Sequence, residues 1–374
     1  MYKLKKIHKI TYFGFLFCIF SIAFYIYTRS FPNWIDKNYT RSIYGVVSLP
    51  GKLLCHIAPV SLGEILLYAA IIFMLVYTLK RLIILTVKRN KLSGILLLRC
   101  VFVWVCIPVY TISIFIWSGG LNYNRTTLYE LSGLDVHETS GRELKDLCLF
   151  LNDKISETRV HLREDENGVI SSGETVLSLS KTAEKGYEAI KNVYPFLSPS
   201  GVQNLFPDPK PAIMSKLMCY QGITGIFPYI IPEPVINYMT PMTSLPLTIC
   251  HEKAHQRGIA REDEANFAAF LACIHHPDYI FQYSGYYLAL IYSMNALYSN
   301  NEETWEEVYY LLDEGYLRDR RYESEFWKQF EGHIDNISTS INDAFIKANN
   351  QPDGVYSYGR VVDLLLAWYR DKNN

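Results

Sequence analysis

Three long apolar segments in the first 117 residues restrict the fold more than any other feature of the chain. They are Ile10–Tyr27, Ser61–Leu79 and Cys100–Trp117. Each approaches the roughly 20 residues that a helix needs to cross a ~30 Å hydrocarbon layer. Basic or aromatic residues flank each segment, and acidic residues are almost absent between them. The pattern therefore predicts a membrane anchor of three transmembrane helices over residues 1–117.

The charge distribution separates this anchor from the rest of the chain. Residues 1–117 contain 14 Lys and Arg but only 2 Asp and Glu, whereas residues 118–374 contain 22 and 35. Basic loops resist transfer across a membrane, and the basic residues are concentrated at the N-terminus and between the second and third segments. We therefore predict a multi-pass protein of the cytoplasmic membrane, with a cytoplasmic N-terminus and an extracytoplasmic domain over residues 118–374. The acidic balance of that domain excludes a nucleic-acid partner, because phosphate binding requires clustered positive charge.

The periodicity of residues 118–374 is mostly helical. Apolar residues recur at helical spacing in Thr139–His161 and again from about Ser244 to the C-terminus. The apolar stretch Tyr283–Tyr298 is too short for a fourth span and predicts a buried helix. Prolines interrupt the aromatic and β-branched stretch after Ile223, so Gly222–Tyr229 is a candidate edge strand. The predicted fold class is mainly α, with three N-terminal transmembrane helices followed by a mostly helical domain with a small β element.

One short motif in this domain indicates metal chemistry. His251-Glu252-Lys253-Ala254-His255 is an HExxH sequence inside a predicted helix. Residues four apart return to nearly the same helix face, so both imidazoles can bind one ion while Glu252 lies beside them. A catalytic zinc uses such histidines as neutral ligands, and an adjacent carboxylate serves as general base. We predict Zn²⁺ bound by His251 and His255, with Glu252 as the catalytic base.

A catalytic zinc also needs a third protein ligand. Gly258 is expected to end the first helix, and Arg261-Glu262-Asp263-Glu264-Ala265-Asn266 begins another. Glu262 is the predicted third ligand, and Glu264 is an alternative. Asn266 lies one turn beyond Glu262 and can fix the tautomer of a ligating histidine.

The HExxH motif followed by Glu262-x-x-Ala265-Asn266 resembles the Glu-zincin peptidases. That resemblance implies the ligands His251, His255 and Glu262 and the base Glu252. The chain also resembles a bacterial membrane-protein family, domain of unknown function 3810. The segments that carry this resemblance are Ile57–Glu64, Leu121–Tyr123, Gly222–Phe270 and Gly354–Arg360.

These features together predict a membrane-anchored, zincin-like zinc metallopeptidase that acts on a peptide or protein substrate and contacts membrane lipid. The alternative is a non-catalytic envelope scaffold or binding protein with a structural or vestigial zinc site. The sequence leaves open the substrate, the oligomeric state and whether the domain's cysteines form disulfides. It also leaves open which residue stabilises an oxyanion; the candidates are Tyr229, Tyr238, Tyr358 and Arg360.

Overall fold

The computed structural model describes residues 2–88, 91–137, 140–197, 205–349, 351 and 360–373. These residues are mainly helical, as the sequence predicts. The helices, in chain order, are α1 (Tyr2–Thr28), α2 (Pro32–Trp34), α3 (Tyr44–Ile57), α4 (Leu62–Lys88), α5 (Lys91–Ser118), α6 (Leu128–Ser132), α7 (Gly141–Arg159), α8 (Val176–Thr182), α9 (Glu184–Ile190), α10 (Ser215–Tyr220), α11 (Leu245–Gln256), α12 (Glu262–Ile274), α13 (Tyr279–Asn300), α14 (Glu302–Tyr309), α15 (Glu314–Lys328), α16 (His333–Ala348) and α17 (Arg360–Asn373). A π-helix, Ile35–Ile43, joins α2 to α3, and 3-10 turns occupy Gly120–Asn124 and Pro195–Leu197.

A small sheet is the only β element of more than one residue pair in the described part of the chain. Its strands are β1 (Lys210–Pro211), β2 (Gly225–Ile226) and β3 (Val235–Ile236), in the order β1-β3-β2. β1 is parallel to β3, and β2 is antiparallel to it, with Gly225 opposite Ile236. β2 is thus an edge strand and lies inside the predicted segment Gly222–Tyr229.

The structure supports the prediction of membrane spans as two or three helices that could cross a membrane. Among the described residues, Leu62–Val87 and Gly94–Ser118 are long and apolar enough to cross a membrane. The first predicted span belongs to a bent pair, Tyr12–Thr28 and Pro32–Ile57, whose helices meet at 110°. Counting that pair as one span gives three. The helix α3, which lies between the first two apolar segments, was not predicted from the sequence, because the polar π-helix separates α3 from α1.

The domain after α5 has one large apolar core. α13 lies at its centre and packs on α7 and α12, with Phe281, Tyr283, Tyr287 and Leu290 fully buried. The apolar stretch Tyr283–Tyr298 is therefore a buried helix, as predicted. All eight cysteines, each within a described part of the chain, are free thiols.

The N-terminal segment (residues 2–118) and the following domain share buried surface and are not independent bodies. A second apolar cluster combines Tyr25, Tyr39 and Tyr44 with Tyr229 and Ala260. In the loop before β3, the buried carboxylate of Glu233 accepts hydrogen bonds from the Ser61 hydroxyl and the Gly63 N–H at the start of α4. The charge balance of the sequence changes near residue 117, but residues from both sides of this boundary pack in one apolar cluster.

A buried ion pair holds this junction together. The Asp36 carboxylate in the π-helix lies 2.9 Å from the Arg125 guanidinium, and both side chains are at least nine-tenths buried. Arg41 pairs with the same carboxylate at 2.8 Å but is 38% exposed.

We expect Asp36→Ala to destabilise the full chain by about 3–5 kcal/mol, because it leaves the Arg125 charge buried without its carboxylate. Arg41→Ala should cost under about 1 kcal/mol, as exposed ion pairs do. Thermal unfolding of both variants in detergent checks the difference. Equal losses in the two variants would contradict the structural role of the buried pair.

Candidate metal centre

Two histidines on α11 form the base of the site. The apolar residues Leu247, Ile249, Cys250 and Ala254 face the large core, which fixes the rotation of the helix. His251 and His255 lie one turn apart on the same side of α11, and their Nε2 atoms are 3.0 Å from each other. The helical spacing of the motif thus gives the geometry that the sequence predicts.

A sharp reversal after α11 brings the third candidate ligand to the histidines. Gly258 has φ of +78°, a left-handed conformation that favours glycine. The N–H of Ile259 then bonds back to the Ala254 carbonyl, and α12 begins at Glu262. Small residues on α12, including Ala265 and Ala269, are completely buried in the core that it shares with α11. This packing places Glu262 directly beside His251 and His255.

The three side chains match the ligand set of a zinc site. Oxygens of Glu262 lie 3.3 Å from His251 Nε2 and 3.7 Å from His255 Nε2. All three ligand atoms lie within 4.8 Å of one another. Ligands held at about 2.0–2.1 Å from one tetrahedral zinc are about 3.3 Å apart. The residues present therefore fit a zinc ion, and three protein ligands leave one coordination position open.

Hydrogen bonds to the far side of each ring select the tautomer that can bind a metal. His251 Nδ1 lies 2.9 Å from Asn266 Oδ1, and His255 Nδ1 lies 2.7 Å from the Ile259 carbonyl oxygen. Both partners are acceptors, so each Nδ1 carries the proton and each Nε2 presents a lone pair. The sequence predicts Asn266 as a hydrogen-bond partner of a ligating histidine, whereas the position of the Ile259 carbonyl follows from the turn at Gly258.

Electrostatics favour the charge states that ligation requires for His255 and Glu262. Burial lowers the pKa of His251, but the carboxylates of Glu262 and Glu252 outweigh the effect of burial, so the pKa of His251 is raised. Burial lowers the pKa of His255 to about 4, so the ring is neutral near pH 7. Burial alone raises the pKa of Glu262, but the neighbouring His255 and His251 outweigh it and hold that pKa below its usual value. A neutral imidazole and an ionised carboxylate are the forms that bind metal.

Glu252 lies beside these ligands and next to the edge strand. Its side chain is buried, and burial raises its pKa to about 8. Within the described residues, its Oε2 atom has no hydrogen-bond partner. A side chain at Gly225 of β2 would place its Cβ 2.6 Å from Glu252 Oε1, so glycine there makes room for the carboxylate.

Glu264, the alternative ligand, has a different role. Its Oε1 accepts a hydrogen bond from the Leu128 N–H at 3.0 Å and lies 3.6 Å from Arg261 Nε. The carboxylate thus caps the start of α6 and is not part of the three-residue cluster. Of the two sequence alternatives, Glu262 is the one that lies in the three-residue cluster.

Residues from the N-terminal segment and its junction support the turn between the ligands. The Tyr44 hydroxyl lies 3.5 Å from the His255 carbonyl oxygen, and Arg125 Nη1 donates to the Gly258 carbonyl at 3.2 Å. Asn122, whose Oδ1 accepts from Thr40, packs against Gly258. These contacts were not predicted from the sequence. The signal that could have indicated them is that Asn122 belongs to Leu121–Tyr123, one of the segments that carry the family resemblance.

The candidate oxyanion donors are not equivalent in the structure. Tyr229 is buried beside the site, with its ring centroid 6.5 Å from that of His255. Among the described residues, its hydroxyl has no hydrogen-bond partner. Tyr238 is 56% exposed, Arg360 is the first residue of α17, and Tyr358 lies outside the described residues. The geometry therefore favours Tyr229 over Tyr238.

Comparison with known proteins gives a family but no activity. Residues 39–366 match the family model described as "Protein of unknown function (DUF3810)". The chain belongs to this family. The DUF3810 match includes Tyr44, Asn122 and Arg125 as well as the three candidate ligands, so the family unit contains the residues that support the turn. No curated protein and no solved structure matches the chain.

We expect Glu262→Gln to remove bound zinc from the full-length protein, because the amide is a weak ligand and the two histidines alone do not complete the site. Glu264→Gln is the matched control and should retain about one zinc per chain. Elemental analysis after dialysis measures both. Loss of zinc from the control and retention in Glu262→Gln would reverse the assignment.

Asn266→Ala should weaken zinc binding by about 10–100-fold, because His251 loses the acceptor that fixes its tautomer. Asn266→Asp keeps an acceptor oxygen and should bind zinc nearly as well as the parent chain. Competition with a chromogenic chelator gives both affinities, and an unchanged affinity in Asn266→Ala would contradict this role.

Proposed function

We propose that the chain is a membrane-anchored zinc metallopeptidase, with His251, His255 and Glu262 as metal ligands and Glu252 as general base. The observation that carries the proposal is the convergence of the three ligand atoms next to a buried carboxylate without a partner among the described residues. A zinc ion bound there would polarise a substrate carbonyl and lower the pKa of water towards ~7.

The protein residues would divide the proton transfer and orientation between them. Glu252 Oε2 is free to accept a proton from the attacking water and to return it to the leaving amine. Its pKa of about 8 reflects burial, and a bound divalent cation would shift that pKa downwards, towards the range useful at neutral pH. Tyr229, whose ring centroid lies 6.5 Å from that of His255, would donate to the oxyanion.

The edge strand suggests how a peptide substrate would bind. Within the described ranges, β2 pairs with β3 on one side only, and its Gly225 lies against Glu252. An extended peptide added to the free edge would form backbone hydrogen bonds and pass the ligands at close range. This arrangement supports a peptide or protein substrate and does not select a side-chain preference.

The alternative is a non-catalytic scaffold with a structural or vestigial zinc site. A structural site requires ligands but no base, and zinc in such sites is normally enclosed by four protein ligands. The three-residue cluster and the adjacent Glu252 favour catalysis.

The test uses the full chain in detergent, because a fragment starting at residue 118 would lack Asp36, Thr40 and Tyr44. The wild-type protein should cleave members of a mixed peptide library, detected by mass spectrometry. Glu252→Gln should retain zinc and lose about 10²–10⁴-fold in turnover, because only the proton transfer is removed.

Glu264→Gln serves as the control for an acid-to-amide change and should keep its activity. Full turnover in Glu252→Gln would disprove its role as base. A zinc-loaded wild-type chain that cleaves no member of the library would favour the scaffold.

A further inference from the structure

α16 carries an exposed apolar stripe. Ile334, Ile337, Ile341 and Phe345 follow one another at intervals of three or four residues and so share one face of the helix. Their exposed fractions are 51%, 61%, 65% and 42%. Ile346, which is buried, lies about 100° around the helix from Phe345. A stripe of this length on a soluble surface would favour aggregation, so it needs a covering partner.

The C-terminal end of α16 is fixed to the ends of two apolar helices. Phe345 packs on Phe115 in the last turn of α5, with ring centroids 5.7 Å apart. The Tyr25 hydroxyl of α1 donates to Asn349 Oδ1 at 3.0 Å, and Arg29 donates to the Ala348 carbonyl. α1 and α5 run side by side, and both end at this level, where the domain begins.

The N-terminal end of α16 is near the start of the other apolar helix. Asp335 approaches Gly222, just after α10, and Phe330 packs on Tyr220 at 5.2 Å. The residues preceding α10, Ile213 and Met214, donate their N–H groups to Glu64 in the first turn of α4. Both ends of α16 therefore connect to the domain-side ends of the helices that can cross a membrane.

Other exposed apolar residues lie on elements that adjoin these helix ends in the chain or in contacts. On and beside α10 they are Ile213, Met214, Leu217 and Tyr220, and on α3 they are Val46, Val47, Leu53, Leu54 and Ile57. The apolar windows of α4 and α5 are themselves only 6% buried. Attachment of α16 at both ends to the ends of helices with such exposed apolar surfaces points to lipid as the partner of the stripe.

We propose that α16 is an interfacial helix whose stripe of Ile334, Ile337, Ile341 and Phe345 inserts into the membrane surface on the domain side. Lipid covers the stripe by burying apolar area, because the stripe itself carries no charge that would select an anionic headgroup. The segment after α16 returns to the metal site, where Gln351 Oε1 accepts the Glu262 N–H at 3.2 Å. The helix thereby fixes the candidate metal site close to the bilayer. This proposal concerns lipid contact and does not depend on catalysis.

The experiment places a dye on α16 of the full chain in phosphatidylcholine nanodiscs. Ile341→Cys carries an environment-sensitive fluorophore, and a fraction of the lipids carry a nitroxide near the top of the acyl chain. Thr339→Cys is the matched control, because this exposed residue lies about 200° around the same helix from Ile341. The parent chain, in which seven of the eight native cysteines are buried, gives the labelling blank.

We expect the nitroxide to quench the dye at position 341 at least about twofold more strongly than at position 339, with Ile337→Cys matching position 341. Equal quenching at positions 339 and 341, or none at either, would overturn the proposal. Disulfide cross-linking of Ile341→Cys between two chains, without quenching, would also overturn it and would assign the stripe to a second copy.

Discussion

The reversal of the chain between α11 and α12 is the constraint on which the candidate site depends. Gly258 adopts a left-handed conformation that turns the Ile259 carbonyl towards His255 and brings Glu262 to both imidazoles. Arg125 binds the carbonyl of that glycine, and Asp36 neutralises Arg125. The position of a proposed metal ligand is thus linked to a buried ion pair in the N-terminal segment.

This linkage changes how the molecule is divided. Hydropathy and charge suggest an anchor and a separate domain, yet Tyr44 contacts the backbone of His255, and the start of α4 is capped by Glu233 from the loop before β3. The family match begins at residue 39, before the two long apolar helices, which agrees with one folding unit.

Much of the fold was predictable because it follows from local periodicity. The spacing of apolar residues gave α7, α11 and the buried α13, and length with composition gave α4 and α5. The prediction was incomplete where the pattern is mixed. The bend between α1 and the segment Pro32–Ile57 was missed, and so was the exposed stripe of α16. The positions of both depend on contacts with distant helices.

The sequence alone predicted two imidazoles one turn apart with Glu252 beside them, because residues four apart return to nearly the same face of a helix. It also placed Glu262 and Glu264 near them without distinguishing the two, since both occupy the first turn of α12. Only the tertiary structure separates them, by placing Glu262 and not Glu264 in the three-residue cluster. The Leu128 N–H and Arg261 draw the Glu264 carboxylate away, whereas the turn at Gly258 directs Glu262 towards the rings. Such a choice depends on residues more than a hundred positions away, which no local pattern encodes.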